Sequence, residues 1–132
     1  MNIFIDASAW VAIIIKEADA FELEKVFGAA PRRYYSAMSL WEAARAISRL
    51  RDVPVTVAAL EVRRFIVDFD MMPVPIGEDE ARLAIEAHAR YGKGTGHPAR
   101  LNMGDCFAYA CAKTNDARLL YKGDDFSQTD LA

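Results

Sequence analysis

Met1-Asn2-Ile3-Phe4-Ile5-Asp6-Ala7-Ser8-Ala9-Trp10 opens the chain as a short apolar run that ends on a carboxylate and passes at once into a helical pattern. Residues 2–5 read as a buried strand, and residues 8–16 as a helix with Ser8 as a candidate N-cap. An acid at the carboxyl end of a strand lies where open α/β sheets hold their ligands. Acids recur at comparable edges much further along: Glu42, Asp105 and the pair Asp124-Asp125.

Outward from that start, helical and strand signals alternate. A helix is expected over 19–28, stopped by Gly28, and a short aromatic strand over 33–36. Ser39 with Glu42 has the spacing of a capping box and opens a helix to about Arg51, before Pro54. Further helices are expected over 56–69 and 78–91, the second on an apolar stripe of Ala81, Ala84, Ile85 and His88. Between them 71–75 reads as an edge strand because of its prolines. The glycine-rich segment 92–98 is a loop, Asn102 or Gly104 starts a helix to about Lys113, and 118–121 is a final short strand. Short strands alternating with helices imply an α/β fold: a single domain over 1–132, with a parallel sheet of four to five strands and helices on both faces.

The composition agrees with a packed globular domain. Hydrophobic residues are 53% of the 132-residue chain, too many for disorder. No apolar run reaches the roughly 20 residues of a membrane span, and no basic segment precedes a long apolar one, so a cytoplasmic protein is expected. Cys106 and Cys111 fall on different faces of one helix and read as buried free thiols, while His88 and His97 are too far apart to complete a zinc site with them. A net charge of -3 argues mildly against unspecific nucleic-acid binding. Positive residues nevertheless gather at Arg45, Arg49 and Arg51, and again from Arg90 through Lys93 and His97 to Arg100.

Each acid has an ordinary explanation when taken alone. Asp6 can cap the helix that follows, Glu42 can close a capping box, Asp105 can sit in a helical first turn, and Asp124-Asp125 after Gly123 can make a turn. Together, at strand ends and helix starts of a parallel sheet, they share one edge. Three or four carboxylates converging there repel one another and form a hard oxygen site suited to Mg²⁺ or Mn²⁺. Such metals accept phosphate oxygens, and the chemistry that follows is phosphodiester hydrolysis by an activated water.

The motif set resembles a known family. Asp6-Ala7-Ser8-Ala9, Ser39-Leu40-Trp41-Glu42, Leu101-Asn102-Met103-Gly104-Asp105-Cys106 and Leu119-Leu120-Tyr121-Lys122-Gly123-Asp124-Asp125-Phe126 look like PIN-domain ribonucleases, specifically VapC toxins of type II toxin–antitoxin systems. The resemblance covers residues 1–129. It implies a Mg²⁺-dependent endoribonuclease, with Mn²⁺ able to substitute, that cuts structured RNA such as tRNA or rRNA and leaves a 5′-phosphate and a 3′-hydroxyl. By the same resemblance Asp6 and Asp105 are the principal metal ligands, and Glu42 completes the cluster and positions or deprotonates the attacking water. Asp124 is the fourth acid, with Asp125 the alternative, and Ser8 and Asn102 support the ligands. It further implies a homodimer and a VapB-type antitoxin, whose tail is expected over residues 10–15 and 21–27.

Lys93, His97 and Arg100 precede Asp105 and are candidates for RNA backbone contacts, as is Lys122 beside Asp124. Trp10 and Trp41 could stack on bases, but core or dimer packing is the simpler expectation, and His88 is expected to be structural. Two rival readings share the acidic edge. A haloacid-dehalogenase-type phosphatase needs a second acid where Ser8 stands; a receiver-like metal-binding domain leaves Glu42 without a purpose.

Overall fold

Every strand pairing is parallel. In the computed structural model, which describes residues 1–132, β1 (Ile3–Ile5), β2 (Arg33–Tyr35), β3 (Met72–Pro73) and β4 (Arg118–Leu120) form one sheet in the order β3-β2-β1-β4. The central strand β1 sets Phe4 beside Tyr34 of β2 and Leu119 of β4. Parallel neighbours need long crossovers, which here are supplied by α1 (Ala7–Ile14), α2 (Ala20–Gly28), α3 (Ala37–Arg51), α4 (Val55–Asp68), α5 (Glu78–Tyr91) and α6 (Met103–Thr114).

Helices on both faces explain why β1 is apolar without alternation. Ile3 and Ile5 point into one core with Trp10, Phe27, Ile47 and Phe65, while Phe4 points into the other with Leu101, Tyr109, Leu119 and Phe126. The first core contains an aromatic stack in which the rings of Phe65 and Phe69 lie 4.3 Å apart. The second is closed by residues near the end of the chain. Asp130 accepts hydrogen bonds from the Tyr109 hydroxyl at 2.8 Å and the Tyr91 hydroxyl at 3.3 Å, and pairs with Lys113 at 2.7 Å.

Several expected boundaries move, each for a local reason. Helix α1 begins at Ala7 because Asp6, not Ser8, is its N-cap: the Asp6 carboxylate accepts the Ser8 N–H. Helix α3 begins at Ala37, capped by Ser36, with Ser39 closing the box. The Ser39–Glu42 box is therefore not formed, and Glu42 has no capping duty. Replacing Ser36 by Ala is expected to cost about 1 kcal/mol of stability, read from denaturant or thermal unfolding, because this cap is buried. On α5 the buried side is Ala84, Ala87 and Tyr91, so Ile85 and His88 face outward rather than inward. Small residues on both α5 and α6 let those helices approach closely, and that contact selects the face. Strand β3 keeps only Met72 and Pro73 of the expected 71–75, as suits an edge flanked by prolines.

Cys106 and Cys111 are free and buried, and burial pushes their thiols up to about 11 and about 12, which makes them inert packing groups. No helix is long and apolar enough to cross a membrane.

Candidate active site

The site forms where the carboxyl end of β1 meets the start of α6. Asp6 is fixed first by its backbone, whose N–H donates to the Leu120 carbonyl at 2.9 Å. Its buried carboxylate is fixed by Ser8, with Oδ2 accepting both the Ser8 N–H at 3.0 Å and the Ser8 hydroxyl at 2.5 Å. The Ser8 Oγ in turn accepts the Lys122 N–H at 3.0 Å. The hydroxyl proton is thereby committed to Asp6, and three segments are tied at one point. Burial raises the Asp6 pKa, and the Ser8 bonds oppose that rise.

Asp105 enters from α6 as the third residue of its first turn. Asn102 caps that helix: its Oδ1 accepts the Asp105 N–H at 2.9 Å, and Asp105 Oδ2 accepts the Asn102 N–H at 3.0 Å. Asn102 thus fixes the direction of the Asp105 carboxylate. Burial pushes Asp105 up to about 7, against the Asn102 hydrogen bond, with the charges of Asp6, Asp125 and Glu42 raising it further.

Glu42 arrives from the second turn of α3 and lies against the backbone of Gly104 on α6. Burial and then the Asp6 charge push it up to about 7. Asp6, Glu42 and Asp105 therefore sense one another from three separate elements. Of the last acidic pair, Asp125 is the one whose charge reaches both Asp6 and Asp105. Asp124 and Asp125 are both exposed and line the same cleft, and the Asp124 carbonyl takes the Ser127 hydroxyl at 2.7 Å.

No Lys or Arg neutralises these acids; the ion pairs of the protein all lie elsewhere. Nor do three potential ligands close on one point as in a finished metal cage. An open set of hard carboxylate oxygens without a protein cation fits Mg²⁺, which keeps several waters and takes few protein ligands.

A basic edge borders the acids. The loop after α5 is pinched at its base by a parallel bridge between Gly92 and Leu101, with Leu101 N–H to Tyr91 carbonyl at 2.8 Å and Lys93 N–H to Leu101 carbonyl at 2.9 Å. The pinch brings Lys93 and Arg100 to an open cleft of ≈ 360 Å³ shared with Asn102, Asp105, Asp124 and Asp125. Arg100 holds φ at 52°, the left-handed region, a conformation that side chains other than glycine adopt at a cost.

Two candidate RNA contacts are not at this cleft. His97 turns its Nδ1 inward to accept the Ala99 N–H at 3.1 Å and sets its ring edge-on to Tyr91 at 5.0 Å. The Lys122 ammonium pairs with Glu17 and, at 3.3 Å, with Asp19, because both acids lie within its reach at the α1–α2 junction. What Lys122 brings to the site is its backbone N–H. Trp10 is fully buried, whereas Trp41 is 58% exposed, with Arg45 over its ring at 5.4 Å. Burial of residues 10–13 also removes them from any docking surface; in the other expected segment, Phe21 is 72% exposed and Phe27 is buried.

The fold and this acidic edge define a class. The PIN domain family model matches residues 3–131. The chain is 42% identical to a VapC ribonuclease of Rhizobium meliloti, over 97% of this chain and 98% of that protein. It is 39% identical to ribonuclease VapC42 of Mycobacterium tuberculosis, over 96% of this chain and 95% of that protein. The chain belongs to the VapC ribonucleases of the PIN-domain family. Its fold is shared with the crystal structure of Mycobacterium tuberculosis VapC20, a sarcin–ricin loop cleaving toxin, at a TM-score of 0.73 and 17% identity, covering 95% of this chain and 92% of the other.

Proposed function

We propose that this protein is a Mg²⁺-dependent endoribonuclease and the toxin of a type II toxin–antitoxin pair. The observation that carries this reading is the convergence of Asp6, Glu42 and Asp105 from three elements, unneutralised by any protein cation, beside a cleft edged by Lys93 and Arg100. Asp6 and Asp105 would hold the metal, with Asp125 rather than Asp124 as the fourth acid because its charge reaches both. A bound Mg²⁺ supplies activation of a water and neutralisation of phosphate charge. Glu42, with its carboxyl pushed up to about 7, is matched to taking a proton from the attacking water near neutral pH. Ser8 and Asn102 keep the two ligand carboxylates aimed, and Lys93 and Arg100 meet the RNA backbone.

The same reading gives the protein a cytoplasmic site of action, a VapB-type antitoxin and a second copy of itself as partners. Exposed Phe21, Trp41, Ile85 and Met103 provide apolar surface for such contacts. Structured RNA such as tRNA or rRNA is the substrate class, and Mn²⁺ replaces Mg²⁺.

Incubation of the purified protein with total cellular RNA, followed by mapping of the new 5′ ends, tests the proposal. Cleavage that needs Mg²⁺, stops with EDTA and leaves 5′-phosphates is expected. Hydrolysis of small phosphate monoesters without RNA cleavage would instead support a phosphatase. Replacing Arg100 by Ala should raise KM with little change in kcat and flatten the salt dependence of binding by about one unit of slope. An unchanged salt slope would remove Arg100 from the RNA interface.

A further inference from the structure

Gly104 is the second residue of α6 and is buried, and its backbone is not in the left-handed region, unlike that of Gly94, Gly96 and Gly123. Any residue could adopt its conformation. Glycine is, moreover, the poorest helix former after proline, so α6 gains nothing locally from having it there. What the position supplies is the space of a missing side chain. A Cβ placed on Gly104 would fall 1.9 Å from Glu42 Oε2, 2.5 Å from its Cδ and 2.7 Å from Oε1. The Glu42 carboxylate thus rests directly on the Gly104 backbone, and no ion pair restrains it from another side.

We propose that Gly104 is a positioning residue: its bare Cα is the notch that seats the Glu42 carboxylate beside Asp6 and Asp105. The inference rests on the metal-dependent reading above and adds to it a residue that touches neither metal nor substrate. A methyl group at this position meets the far end of a flexible side chain, so the fold can adapt. The adaptation is for Glu42 to swing out of the cluster. Loss of function and retention of fold are then expected together, a combination that a purely structural glycine would not give.

Gly104→Ala is expected to melt at the same temperature as the unsubstituted protein or higher, since Ala favours the helix. Its affinity for Mn²⁺, measured by electron paramagnetic resonance of the free ion, should fall at least about 10-fold, as when a supporting residue of a metal site is lost. Its kcat should fall while KM for RNA holds. In a Glu42→Ala background the same Gly104→Ala change should leave Mn²⁺ affinity unaltered, because no carboxylate remains to displace. Full Mn²⁺ affinity in Gly104→Ala, or an equal further loss in the Glu42→Ala background, would overturn the notch. If Gly104→Ala does not fold, Gly104→Ala with Glu42→Asp decides, since the shorter acid makes room for the methyl: recovery of folding supports the notch, and continued failure overturns it. Absence of Mn²⁺ binding by the unsubstituted protein would overturn the metal-dependent reading itself, and the notch with it.

Discussion

Asp105→Asn will abolish RNA cleavage while leaving the protein folded. The asparagine keeps an oxygen to accept the Asn102 N–H, so the cap of α6 survives. What it loses is a negative charge in a cluster with no other source of cation affinity than its acids. Disturbing even an outer supporting group of a metal site typically costs 10–100-fold in affinity or activity, so removing Asp105 as the proposed direct ligand is expected to cost about 10²-fold or more. Single-turnover cleavage with enzyme in excess separates the chemical loss from weaker RNA binding. Asp6→Asn should behave alike, since Asn is also a good N-cap for α1. Wild-type rates in both variants would refute the assignment.

The second large effect is on the metal-free protein. Glu42 and Asp105 both have carboxyls pushed up to about 7, above their ordinary values of 4.5 and 3.8. Between those values and 7 the native state holds protons that the unfolded chain has released, so stability falls as pH rises through that window and levels off above it. After discounting for the solvent that still reaches both groups, the loss from pH 5 to pH 8 is about 2–3 kcal/mol, or roughly 5–10 °C in Tm for a domain of this size. Saturating Mg²⁺ should remove most of the slope, because it binds the ionised native cluster. Glu42→Gln should flatten the slope without metal and raise stability at pH 8. Calorimetry at a series of pH values, with EDTA and then with Mg²⁺, reads all three; a metal-free profile with no decline would show that burial does not hold these carboxyls protonated.

That frustration is legible in sequence only in part. Asp6 was recognisable because strand period and chain order place it without knowledge of any partner. The parallel sheet and its two covered faces followed from the same alternation. Glu42 and Asp105 could be chosen, but the reason for Glu42 could not be read: Ser39 offered a local capping role that is in fact filled by Ser36, a residue that reads as the end of the aromatic strand. Choosing between Asp124 and Asp125 depends on a turn whose direction no periodicity encodes. Lys122 misled for a related reason, since Glu17 and Asp19 are more than a hundred residues away in the chain and adjacent only in space. The inward turn of α5 depended on small residues of α6, a tertiary preference that outweighs the stripe of larger side chains.

The pairing of β1 with β4 has a consequence for when the protein becomes dangerous. Asp6 is made well before the segment that fixes it, since its backbone bond goes to Leu120 and its orienting serine is held by Lys122. A nascent chain therefore cannot fix the Asp6 carboxylate until the segment through Lys122 has cleared the ribosome. The site is therefore completed by its later-made segment, not by the strand that carries Asp6.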